Sequence, residues 1–172
     1  MSAIRSASLA LTLLTGAVLP AMAQGEACRI DYGKPGQVKD ALKAVETSEV
    51  IGKPEDKRKN FTKAVTLLTK EPEKVKVNQM GADMVHGRAL IDLAGLPDMP
   101  PAVRRGDIGY TASPDATMDL LVTADSLLDV VETAMPACKA DTEGWRRGPY
   151  SVLVNDAVNL YNAQQLDSAE KV

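Results

Sequence analysis

Residues 113–136 read SPDATMDLLVTADSLLDVVETAMP, and their pattern decides the fold class. Leu120, Leu121, Ala124, Leu127, Leu128, Val131, Ala134 and Met135 recur at three- and four-residue spacing. That spacing puts them on one wide apolar side of a helix, broad enough to face a core. Ser113 suits the N-cap, Pro114 the first helical position and Asp115 the positive end of the helix dipole, while Pro136 stops the run. A helix is therefore expected from Ser113 to Met135.

The same periodicity extends in both directions. Upstream, Val38, Ala41, Leu42 and Val45 mark a first helix that Gly52 is expected to close. Pro54 opens a second, with Glu55 and Asp56 in its first turn and Phe61, Ala64, Val65 and Leu68 as its apolar stripe. A third is expected from Glu73 to Ala94, with Val77, Met80, Met84, Gly87, Ile91 and Ala94 on one face. Gly81 and Gly87 inside it each cost about 1 kcal/mol against alanine, so they mark a tight helix crossing. Gly95 reads as a left-handed cap before Pro97. Residues 96–112 hold Pro97, Pro100, Pro101, Gly106 and Gly109 and read as a long connection over the surface. Downstream, a short link with Cys138 and Trp145 precedes a helix starting at Pro149. Gln164-Gln165 forms a turn, and a last helix begins at Leu166.

Aromatic residues are scarce, one Phe, one Trp and four Tyr, and the apolar content is mainly Ala, Leu, Val and Met. This disfavours sheets and supports an all-α fold of about five to six helices in antiparallel pairs. Net charge is −3, with no basic stripe, so no nucleic-acid partner is expected.

Residues 1–23 read as a secretory signal peptide: Arg5, an apolar run from Leu9 to Leu19, then Ala21 and Ala23 before the expected cut at Gln24. The 149 residues that remain of 172 suit one domain: an irregular lead-in over 24–36 and a helical domain over 37–172. No later stretch is apolar enough for a stable membrane span, so a periplasmic or secreted location is expected. Cys28 lacks a lipobox, since Gly25 and Glu26 precede it, so a lipid anchor is not expected there. In an oxidising compartment the two cysteines, Cys28 and Cys138, are expected to form a disulfide.

Residues 150–172 sharpen the reading. Leu153, Ala157 and Leu160 precede the turn, and Leu166 and Ala169 follow it. In type and spacing these five residues are similar to the packing positions of a tetratricopeptide repeat. Ala157 stands where that family places a small residue because its helices touch, and Phe61–Ala64 is similar. The resemblance implies a degenerate, TPR-like α-solenoid that binds a protein or peptide partner on a concave face, without chemistry of its own. It also implies a capping helix beyond the last repeat, so the array is expected to continue past Val172 or to be covered by a partner or the N-terminal helix. The length of the Ser113–Met135 helix and of the 96–112 connection departs from the family pattern.

No catalytic group stands out. His86 is the sole histidine and no nucleophile is marked beside it, so a hydrogen-bonded structural role is expected. No HxxxH, CxxC or EF-hand spacing occurs, and no metal, cofactor or enzymatic activity is expected. Arg105-Gly106-Asp107 reads as a polar turn. Trp145 is expected to pack at a helix junction with Arg146 and Arg147 in solvent. Methionines 80, 84, 118 and 135 read as core filler, and the lysines of 53–76 as a solvated face. The leading function is an exported protein-interaction scaffold. The alternative is a periplasmic small-molecule binder with its ligand near Gly81, Gly87 and the long connection, and a less favoured one is an enzyme with an unrecognised site.

Overall fold

The helix that buries the most residues, Gln79–Ala94, lies at the centre, and the other long helices pack around it. A computed structural model describes residues 27–34 and 36–170, so the expected signal segment 1–23 lies outside the described residues. The helices are α1 (Gln37–Val50), α2 (Pro54–Thr69), the single turn α3 (Pro72–Val75), α4 (Gln79–Ala94), α5 (Leu120–Ala134), α6 (Lys139–Asn162) and the short α7 (Leu166–Ala169). The fold is all-α, with one small two-stranded sheet of β1 (Ala102–Arg104) and β2 (Thr117–Asp119).

The stripes of α1 and α2 bury as their spacing requires: Val38, Ala41 and Val45 on α1, and Phe61, Ala64, Val65 and Leu68 on α2. Three residues join these helices into a hairpin. α1 stops because Ile51 and Lys53 are extended, the conformation that Pro54 favours in the residue before it. Gly52 therefore supplies no left-handed cap, nor does Gly95, whose φ is −80°.

The expected third helix is interrupted. A 3-10 turn over Lys76–Asn78 separates α3 from α4, and Asn78 leaves helical geometry at φ −135°. The cause is tertiary, because the lead-in crosses here and a Cβ on Gly81 would come within 2.9 Å of the Asp31 carbonyl. α4 then buries residues all around its circumference, Ala82, Val85, Ala89, Leu90 and Leu93 included, and meets α1, α2, α5 and α6. At Gly87 a Cβ would lie 2.7 Å from the Leu128 side chain, so this glycine is where α4 and α5 make their close crossing.

The connection after α4 is folded into the core. Val103, Ile108 and Tyr110 are buried, and Val103 pairs with Met118 across the antiparallel ladder. Gly109 has φ +98° and sits against Thr62 and Thr66 of α2, a conformation and a clearance that exclude a side chain. Ser113 and Pro114 form the turn between the strands, where Ser113 accepts from the Ala116 N–H and Pro114 from the Gly106 N–H. α5 consequently begins at Leu120, seven residues after Ser113, with Asp119 accepting from the Val122 N–H at 2.9 Å as its N-cap.

α6 also starts earlier than expected, at Lys139, and runs through Pro149. An internal proline removes one helical hydrogen bond and costs about 3 kcal/mol in a typical helix. Here packing on both sides of that turn holds the helix: before it Thr142 is buried, Trp145 packs on the core and Arg146 is tied to α5, and after it Leu153 packs on the core. Cys28 and Cys138 form a disulfide that fastens the lead-in to the start of α6. No helix among the described residues is long and apolar enough to cross a membrane.

Candidate functional site

Where α4 ends, the chain swings outward through Gly95, Leu96 and Pro97 and leaves an open cleft of about 790 Å³. The end of α1, the first half of α2, the start of α5 at Leu121 and the middle of α6 supply its other walls. Phe61, Ile91, Leu121, Trp145 and Leu153 make its lining largely apolar. The Arg88 guanidinium on α4 stacks on Trp145, 5.0 Å from the ring centre, and is paired with Glu49 at the end of α1. Arg88 Nε lies 3.8 Å from Asp92 and is buried without a hydrogen-bond partner among the described residues. Burial pushes the Asp92 carboxyl above the usual carboxylate range, against the opposing pull of Arg88 and Lys57. Asp156 faces the same cleft from α6. Three carboxylates (Glu49, Asp92 and Asp156) therefore meet two cations there, Lys57 and Arg88.

Beyond the cleft, the second half of α6 carries apolar side chains on its outer face. Tyr150, Val154, Val158 and Tyr161 follow one another at four, four and three residues, so they share one side of the helix. Val154 is 61% and Tyr161 65% exposed, and Leu166 after the turn is 58% exposed. Exposed apolar residues grouped on one face are the usual mark of an interaction surface.

The five repeat-like positions lie on this part of the chain. Leu153 packs at the edge of the core, Ala157 and Leu160 are half-buried, Leu166 is exposed and Ala169 is the last residue of α7. Gln164 has φ +60° in the three-residue turn that joins α6 to α7. Gly81 and Gly87, the centre of the alternative ligand site, face the Asp31 carbonyl and Leu128, so both are packing contacts.

His86 is held by Tyr110, whose hydroxyl is 2.7 Å from Nε2. Burial, aided by Arg105, lowers the His86 pKa to about 4, and burial raises the Tyr110 phenol to about 12. Arg105 stacks on the Tyr110 ring at 4.6 Å and Asp107 pairs with Arg104, so Arg105-Gly106-Asp107 is a 3-10 turn engaged with its own neighbours. The expectation that Arg146 lies in solvent is corrected. It reaches Asp125, Asp129 and Glu132 on α5, whose spacing of four and three residues turns all three toward α6. Met84 is buried, and Met80, Met118 and Met135 pack against the core.

Comparison with family models, with curated proteins and with solved structures finds no match for this chain. Sequence reasoning missed the cleft. Asp92 and Trp145 are separated by the whole 95–138 segment, and no local pattern signals that the fold brings them to one wall. Arg88 carried no signal either, because a lone arginine on a helix reads as solvated.

Proposed function

We propose that this chain is an exported, non-enzymatic scaffold that binds a protein or peptide partner through a repeat-like helical surface. The apolar stripe on the outer face of α6 carries this reading. Leaving such area in water forgoes about 25 cal/mol per Å² that a partner's apolar face would recover. The α6–α7 pair supports it further, since a long helix, a short turn and a returning helix are what a repeat offers to its next neighbour. The engagement of His86 by Tyr110 supports reading that histidine as structural. Export is supported by the pattern of residues 1–23 and by the disulfide, a bond that persists in oxidising compartments.

Peptide-display selection on residues 24–172 tests the scaffold, with Val154→Asp/Tyr161→Asp as the matched control. Wild type should enrich sequences with apolar residues at helical spacing, and the double variant should lose them. Equal recovery on the variant, or no enrichment at all, overturns the reading. N-terminal sequencing of the protein from the periplasm or medium should begin at Gln24, and an intact Met1 confined to the cytoplasm refutes export.

A further inference from the structure

We infer that the cleft at the end of α4 docks a partner segment carrying an apolar side chain beside a lysine or arginine, the apolar group lying over Phe61 and Trp145 and the cation facing Asp92. This inference rests on the scaffold reading and names the chemistry of the partner.

Charge points to a cation. The cleft holds three carboxylates and two cations, one positive charge short of neutrality. Neither cation holds Asp92 closely, and Lys57 acts on it only from beyond ion-pair distance. Arg88 is committed to Trp145 and to Glu49, and it reaches Asp92 only at 3.8 Å. No hydrogen-bond donor among the described residues meets the Asp92 carboxylate, although burial already works against its charge. Asp92 is part-buried and open to the cleft, and an incoming ammonium or guanidinium would give its carboxylate the charged hydrogen bond that no protein donor supplies. Asp156 has no ion-pair partner among the described residues and supplies a second anchor across the cleft. An acidic segment would face both carboxylates at once and be rejected.

Shape points to a peptide. A volume of about 790 Å³ exceeds one side chain, and the cleft is open along α6. At 100° per residue, Leu153 and Ala157 fall between the cleft-facing Pro149, Val152 and Asp156 and the outer stripe of Tyr150, Val154, Val158 and Tyr161. The apolar surface therefore continues from the cleft around this half of α6. The stretch from Trp145 to Tyr161 is about 24 Å long, enough for a helix of roughly fifteen residues.

Trp145 is the only tryptophan in the chain, so its emission reports on the cleft alone. The mature protein is titrated with a fourteen-residue amphipathic peptide of leucine and lysine, with the same peptide carrying glutamate for lysine, and with hexylammonium. The lysine peptide should give a saturable shift of Trp145 emission. Its affinity should fall about tenfold in Asp92→Asn, the loss expected when a charged hydrogen-bond partner is removed. The exposed Asp156→Lys, far from core packing, should weaken it as well, which keeps the test decisive if Asp92→Asn fails to fold. Several conditions overturn the inference: no saturable shift, equal binding of the glutamate peptide, full affinity in Asp156→Lys, or an equal response to hexylammonium. If the lysine peptide fails while display selection still depends on Val154 and Tyr161, the cleft assignment falls and the scaffold reading stands.

Discussion

Removing the Cys28–Cys138 bridge should bring the fold close to its limit. The perturbation is Cys28→Ala with Cys138→Ala, which leaves no unpaired thiol. The bridge spans a sequence separation of 110 residues. Chain-entropy theory assigns a loop of that length about 5 kcal/mol through the unfolded state. Cys138 is fully buried, so truncation to alanine adds a small packing loss. Against a typical total of 5–15 kcal/mol, the double variant should keep only a margin of stability. For a domain of this size the Tm should drop by about 10–20 °C. Urea unfolding, followed by Trp145 emission and by helical circular dichroism, reads both the loss and the m-value. The m-value should rise, because an uncrosslinked unfolded chain exposes more surface. Wild type under reducing conditions should match the variant to within about 1 kcal/mol, the size of that packing loss. A loss below about 1 kcal/mol would refute the reasoning, since loop closure could then not be what the bridge contributes.

Two further outcomes follow from packing and burial. Gly87→Ala should destabilise by about 1–3 kcal/mol despite alanine's helix propensity, because the new Cβ meets Leu128 at 2.7 Å, whereas Gly144→Ala on α6 meets open space and should stabilise by up to about 1 kcal/mol. Thermal denaturation of both variants checks the pair, and a stabilised Gly87→Ala would sink the close-crossing assignment. His86 makes stability depend on pH with a definite sign: its folded pKa of about 4 lies below the ordinary 6.5, so the unfolded chain binds the extra proton as pH falls. Stability from this group is full above about pH 6.5 and declines toward pH 4 by at most about 3 kcal/mol. In urea unfolding at pH 7, 5.5 and 4.5, wild type should lose stability relative to His86→Gln as pH falls, and a gap between the two midpoints that stays constant across that range would show that the histidine is not the cause.

The helices that stand against one neighbouring layer were legible in the order of their residues. α1, α2 and the body of α5 bury the side chains that three- and four-residue spacing selects, because a one-sided helix must turn that side inward. Legibility failed where contacts distant in sequence outweighed local preference. Ser113-Pro114-Asp115 is a sound local cap, yet strand pairing of Thr117–Asp119 claims that backbone and moves the cap to Asp119. Pro149 reads as a helix start, yet packing of Thr142, Trp145 and Arg146 carries α6 straight through it. The cleft was least legible of all, since its walls come from five helices and the connection after α4.

Local physics written along the chain, apolar period and amphipathic stripes, was therefore enough to establish an all-α fold, and the presence of just two cysteines behind a signal-like segment was enough to single out Cys28 and Cys138 as partners. The tertiary structure alone decided that α4 is enclosed on every side, that the 95–116 connection folds inward, and that Asp92, Arg88, Trp145 and Asp156 share one cleft. Spacing along a helix reports which residues share a face. It carries no record of which other face arrives opposite, and that is settled only when the whole chain buries its apolar area at once.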